Sequence, residues 1–384
     1  MSALTGTTGT TGTTGTTGTT GTTGTTGTSA LQNGLSGYSG AISNPMLSWA
    51  LDGTRREVYE RSQVIGPVKQ GAHKKALVLP ALDQAEGLSC WQADVRLRVL
   101  AWEIGEGLSF TADVRDTAGR QLDGAELRYQ NQPLVRILRP SIQALRGQAE
   151  ETAKEMAKVL NGDELVVNSR LNEIVTQVTP AFAFWSALVP LHPERHKSSF
   201  ELMQLALELG SSVVLRFKQA LQCPRPYELD TRCHPLLLTP AHSSYPSGHS
   251  TESTVVSTLL AHLLSDSVAD ESPDYGPALR RLAQRIAANR VAGGLHYHVD
   301  SIAGQLLGEA LGAYLVGLCT GTVKADFVVC DGSRADAGTR PTNGEPASRQ
   351  PLYDAASSVP GAVQPVLNER LAWLWQKARA EWGR

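Results

Sequence analysis

Three short stretches of this chain carry the groups that one oxyanion would need. They are Lys218 with Arg225-Pro226, the run Pro246-Ser247-Gly248-His249, and Arg290 with His296 and Asp300. A tetrahedral or trigonal-bipyramidal oxyanion is held by cationic and N–H donors around its oxygens. It also needs a nucleophile or ligand in line with an apical bond and a proton-transfer group on the other side. Lys218, Arg225 and Arg290 are the cations. Ser247 and Gly248 offer a hydroxyl and an uncrowded amide at a helix start, where unpaired N–H groups and the macrodipole favour negative charge. His249 is the acid/base. His296 and Asp300 stand one helical turn apart, so the carboxylate can hold one imidazole N–H and leave the other nitrogen to attack or to ligate.

Each piece alone has a plain structural reading. A cation at a helix end complements the dipole, Pro-Ser-Gly makes a turn, and a His–Asp pair at i,i+4 is a surface contact. Surface accidents have no reason to assemble the whole set in order, and the joint pattern therefore outweighs its parts. Other histidines lack such company. His298 is two positions from His296 and faces away on a helix, while His73, His192, His196, His234 and His262 have no partner spacing.

The ordered set Lys-x6-Arg-Pro, Pro-Ser-Gly-His and Arg-x5-His-x3-Asp resembles the signature shared by vanadium-dependent haloperoxidases, bacterial acid phosphatases and type 2 phosphatidic acid phosphatases. The resemblance runs from Lys218 to Asp300, and it departs at Asn289, where the family usually has Ser; Asn289 is kept as a neighbour of the site. His242, seven positions before His249, is similar to algal bromoperoxidases, which place a histidine beside vanadate where fungal chloroperoxidases have Phe. The segment Gly294 to Asp300, followed by an alanine- and glycine-rich helix, looks like the soluble haloperoxidases. The resemblance implies a vanadate cofactor with His296 as apical vanadium ligand. Lys218 would polarise hydrogen peroxide, His249 would handle protons, and halide, bromide favoured, would be oxidised. The alternative is a soluble acid phosphatase without cofactor, in which His296 attacks phosphorus and His249 protonates the leaving alkoxide.

Composition bounds the partners. With 384 residues, 41% of them hydrophobic, and a net charge of -2, the chain reads as a soluble globular protein without an electrostatic footprint for nucleic acid or anionic membrane. The most apolar helix carries Asp300 and Glu309, which argues against integral membrane association and so against the lipid phosphatases of the family. The Met-Ser-Ala-Leu start has neither a basic nor an apolar leader region, so the expectation is cytoplasmic, with periplasm or secretion left open. The expected partners are small molecules, either peroxide and halide or a phosphoester, and a homo-oligomer is left open. Of five cysteines, Cys223 and Cys233 flank the Arg225 loop; two reduced thiols are the preferred reading over a bridge.

These residues need a scaffold, and the pattern after Pro140 supplies one. Helical periodicity predicts helices over 141–160 and 164–188. A capping box at Ser198-Ser199-Phe200-Glu201 opens the helix that ends near Lys218. Further helices are expected from Ser247, from Pro277 to Arg290 and from His296 to Leu318, the last with Gly304, Gly308 and Gly312 as a close-approach stripe. A final amphipathic helix spans Val366 to Trp382, after a Gly/Pro/Ser-rich stretch. Upstream, Val95–Leu100 and Ser109–Val114 alternate in the manner of strands, and residues 5–28 are a Thr-Gly-Thr repeat. The predicted fold is mainly α, a helical bundle with the oxyanion site in its core and a small mixed N-terminal region. Its divisions are a low-complexity tail at 1–43, a mixed region at 44–138, a catalytic core at 139–320, a loop at 321–363 and a helix at 364–384.

Overall fold

Helical periodicity accounts for most of what the chain builds. The computed structural model describes residues 49–50, 52–54, 56–57, 81–162, 164–178, 182–267, 269–354 and 362–384; the Thr/Gly tail at 1–43 and His73 lie outside the described residues. Contacts divide the chain into two units, Met1–Leu82 and Asp83–Arg384. In the first, the described residues between 49 and 57 form helical turns, with an Arg56–Asp52 ion pair of 2.8 Å.

The second unit opens with a 3-10 turn, Ala85–Cys90, followed by α1 (Ala93–Gly105). A sheet follows, made of β1 (Leu108–Thr111), β4 (Gly124–Tyr129), β5 (Gln132–Leu138) and, from the far end of the chain, β6 (Val328–Asp331), in the order β1-β4-β5-β6. Between β1 and β4 lies a small ribbon of β2 (Val114–Arg115) and β3 (Gln121–Leu122). All pairings in the sheet are antiparallel except β5 with β6. The helices are α2 (Ile142–Leu160), α3 (Glu164–Thr176), α4 (Phe182–Ser186), α5 (Lys197–Leu221), α6 (Pro226–Leu229), α7 (Gly248–Leu263), α8 (Gly276–Ala292), α9 (His298–Thr320) and α10 (Glu369–Ala380). The fold is mainly α, as the sequence predicts.

At the centre, α7 packs against α5, α8 and α9. The glycine stripe explains how closely α9 approaches. A Cβ added at Gly304 would sit 2.6 Å from the Ser247 carbonyl oxygen, and one at Gly308 2.6 Å from Thr254 Cβ. With side chains excluded there, Ser250 Oγ donates to the Ser301 carbonyl at 2.7 Å, which locks the start of α7 to the start of α9. By length and composition α9 could cross a membrane, but its apolar window is 89% buried among its neighbours. The sheet braces the same end of the bundle, since the Tyr245 hydroxyl donates to the Leu138 carbonyl of β5 at 3.1 Å. All five cysteines are free thiols, Cys223 and Cys233 among the buried ones.

Three local expectations change. Val95–Leu100 is part of α1, not a strand: Leu97, Leu100 and Ile104 share one inward helix face, which six alternating residues cannot reveal. The helix expected over 164–188 is two, α3 and α4. Lastly, α5 starts at Lys197 without the capping box. Glu201 turns instead to Arg96 at 2.6 Å, and Glu381, just beyond α10, takes the Ser198 and Ser199 N–H groups at 2.6 and 2.9 Å.

Candidate active site

Local structure fixes each candidate side chain before any of them meet. Lys218 occupies the last turn of α5, which stops where Gln222 turns left-handed at φ 48. Arg225 is the N-cap of α6, its N–H held by Glu228 Oε2 at 2.6 Å with Pro226 locking the first turn. Ser247 caps α7, its hydroxyl oxygen accepting from the Ser250 N–H at 3.4 Å, and so the hydroxyl hydrogen stays free to donate. Gly248 and His249 are the first two residues of α7, whose N–H groups have no intrahelical acceptor. Arg290 lies on the last turns of α8. Asp300 stands in the first turn of α9 and takes the Tyr297 N–H at 3.2 Å.

The two histidines are held in different ways. His296 Nδ1 meets Asp300 Oδ2 at 2.7 Å and Ser244 Oγ at 3.2 Å, while Ser244 donates its own hydroxyl to the same Oδ2 at 2.5 Å. The carboxylate therefore fixes Nδ1 as the protonated nitrogen and leaves Nε2 as the lone pair. Burial, with Lys218 and Arg225 nearby, pushes His296 well below the usual imidazole range. His249 Nε2 lies 2.9 Å from the Gln177 carbonyl, which can only accept, so Nε2 carries the proton and Nδ1 is the open nitrogen. Burial and the charge of Arg290 push His249 down to about 3. A bound anion would oppose that push by offsetting the cations.

The cations are buried but only partly used. Lys218 donates to the Ser243 carbonyl at 3.0 Å and to that of Ser244, leaving one ammonium hydrogen. Burial pushes it down, and the Asp300 carboxylate opposes that shift. Arg225 spends one hydrogen each from Nε, Nη1 and Nη2 on the His242 carbonyl, the Leu295 carbonyl and the His242 ring, at 3.1, 2.8 and 3.2 Å. Arg290, 1% exposed, uses Nη2 on the Ile174 carbonyl and Gln177 Oε1, while its Nε and Nη1 have no partner among the described residues. A buried guanidinium with unspent donors costs free energy unless something fills them. An oxyanion does.

All the residues expected at the site converge on it except Asn289. That side chain points the other way, donating to Glu173 at 2.7 Å and to Gln177 at 2.9 Å and accepting from Arg170 at 2.5 Å. It steadies Gln177, which in turn touches Arg290 and His249. His242, an ambiguous loop histidine in the sequence, meets Arg225 Nη2 through its ring Nδ1 at 3.2 Å. Sequence reasoning missed Ser244, Gln177 and Glu252. For Glu252 there was a signal: it is a carboxylate one turn after His249 on a helix whose inward positions are small or apolar.

Residues 201–321 match the family model of the PAP2 superfamily, a span that contains every one of the motif residues. Among solved structures, a bacterial vanadium-dependent iodoperoxidase is similar at 17% identity and a TM-score of 0.34. The match covers 44% of this chain and 46% of that one, less than half of either. No curated protein matches.

Proposed function

We propose, from the match of residues 201–321 to the PAP2 superfamily model and from the site's own geometry, that this chain is a vanadate-dependent haloperoxidase that oxidises bromide with hydrogen peroxide. The observation that carries an oxyanion reaction is the set of unspent donors. Arg290 Nε and Nη1, the remaining hydrogens of Lys218 and Arg225, and the amides of Gly248 and His249 are donors without a protein acceptor that an oxyanion bonded to the free Nε2 of His296 would use. That donor set fits vanadate. His296 Nε2 would ligate it, and the three cations and the Ser247 hydroxyl would hold its oxygens. When bound, vanadate supplies Lewis-acid activation of peroxide toward a halide.

The chain's own residues do the rest. Asp300 and Ser244 hold the His296 tautomer. The buried cations balance negative charge on the anion. Lys218 directs its last N–H toward peroxide. His249 moves protons through Nδ1 while Gln177 anchors the opposite nitrogen. The peroxidase reading is favoured by His242, whose Nδ1 meets Arg225 Nη2 at 3.2 Å, where the resemblance places a histidine next to the anion. We place the protein in solution, acting on small molecules, with no nucleic-acid or integral membrane association.

A second reading, a phosphatase working through a phosphohistidine, is favoured by the cavity of about 220 Å³ that His249 lines, where an alcohol leaving group has room. In that reaction His296 Nε2 bonds phosphorus as the P–O ester bond breaks, and His249 protonates the departing oxygen. Water then cleaves the N–P bond. One experiment separates the two: purified protein is incubated with orthovanadate and assayed in parallel for bromide oxidation by peroxide and for phosphoester hydrolysis. Vanadate-dependent bromination is expected. Ester hydrolysis that vanadate only inhibits, with no bromination, would overturn the first reading in favour of the second.

A further inference from the structure

The cavity beside His249 is bounded by the end of α3, α4, α5, α7 and α8. At about 220 Å³ it has room for a small organic group. Its lining is uneven in charge. Trp185, Leu207 and Ile286 are apolar, Gln204 is neutral, and the two carboxyl groups are Glu208 of α5 and Glu252 of α7. The cations of the oxyanion cradle are not part of its wall.

Glu252 is the informative member. It follows His249 by one helical turn and leans back over the start of α7: its Oε1 lies 3.7 Å from where a Cβ on Gly248 would be. Its carboxyl group is half-buried at the cavity wall and has no hydrogen-bond donor among the described residues, although carboxyl groups drawn out of bulk water are ordinarily bonded. A charge-bearing side chain with open acceptors, placed in a cavity next to the proton-transfer histidine, invites a donor from the ligand. Bromide, phosphate and carboxylate gain nothing from such a wall. An ammonium gains a charge-assisted bond or ion pair, with an aromatic ring among its neighbours.

We propose that this cavity seats the organic part of the substrate, and that Glu252, assisted by Glu208, selects a group bearing an amine or quaternary ammonium. The proposal rests on the reading of His249 as the proton-transfer residue. It applies whether the ammonium belongs to an organic acceptor of oxidised halogen or to the alcohol portion of a phosphoester.

The test compares choline with its uncharged carbon isostere, 3,3-dimethylbutan-1-ol, by calorimetry on the full chain. Choline should bind at least fivefold more tightly. The preference should vanish in Glu252→Gln and shrink less in Glu208→Gln, whose carboxylate is exposed. Equal affinities in the wild type would overturn the proposal without recourse to any variant, as would a preference undiminished in the double variant. Orthovanadate titration of the same protein reports on the cradle separately. Lost vanadate binding with the choline preference intact counts against the catalytic reading and for the subsite, whereas vanadate binding without the preference counts against the subsite.

Discussion

Arg290 at the end of α8 and the carboxyl groups farther along α7 and α9 are all charges withdrawn from water, yet they meet that cost differently. Burial pushes Arg290 down to about 10, which still leaves it charged at neutral pH. Glu252 and Glu309 are each pushed up to about 7 by burial. The guanidinium cannot escape by titrating and keeps donors unspent, so its cost is relieved only by a ligand. A carboxyl group can take up a proton and shed the cost on its own. Charge retained against burial therefore marks where an anion belongs; a carboxyl group that can titrate is tolerated when alone, as Glu309 is, and is held charged where a cation meets it, as an ammonium beside Glu252 would do.

The largest effect expected from breaking the cradle concerns its two histidines. His296→Ala should abolish turnover, because no other side chain offers a lone pair fixed by a carboxylate at that place. His249→Ala should keep orthovanadate bound, since the cations and the α7 amides remain, while the steady-state rate falls by roughly a hundredfold or more. Asp300→Asn should fall between, its imidazole present but with the tautomer no longer set. Measured together, binding and rate should come apart for His249 and not for His296. The reverse pattern would mean the two roles are exchanged.

A smaller but sharper test sets a cradle arginine against one in water. Arg290→Ala should weaken orthovanadate binding by about 2 to 3 kcal/mol, the cost of removing charge-assisted hydrogen bonds from a buried site. Arg281→Ala, on the exposed face of the same helix, should leave the affinity unchanged. Equal calorimetric affinities for the two variants would remove Arg290 from the cradle.

The cradle was legible in the sequence because identity and spacing sufficed: His296 and Asp300 are one turn apart on any helix, and the Ser-Gly pair marks a helix start wherever it occurs. The bundle was legible for a similar reason, since α2, α5, α8 and α9 are long enough to display their period. What the sequence withheld is how distant residues meet. Gln177 lies 72 positions from His249, Ser244 lies 52 from His296, and Glu381 caps a helix 183 positions upstream. The Ser198 box misled because Glu201 had a better partner in Arg96, which local spacing cannot disclose. In α1 the alternation of Val95 through Leu100 fitted both periods, and tertiary packing chose the helical one.

The smallest effect tests the titrating side of the comparison. Glu309, on α9, lines a small gap between α7, α8 and α9, with its Oε1 accepting the Ala347 N–H at 2.9 Å. Burial raises it from the ordinary 4.5 to about 7; Ala347 and Arg280 oppose the shift, and Glu271 adds to it. Well below pH 4.5 the carboxyl is protonated in both folded and unfolded chains and costs nothing by linkage. As pH rises past that point the unfolded chain ionises first. The folded state then loses stability until about pH 7, beyond which the penalty is constant, bounded at about 3 kcal/mol by the size of the shift. Glu309→Gln keeps an oxygen for Ala347 and cannot ionise. Its stability relative to the wild type, measured by urea unfolding, should therefore grow from pH 5 to pH 8 by up to about 3 kcal/mol, with the sign favouring the variant at the higher pH. A difference that stays flat across that range would mean Glu309 is charged and satisfied in the fold, and the contrast between the Arg290 guanidinium and a titrating carboxyl group would not hold on α9.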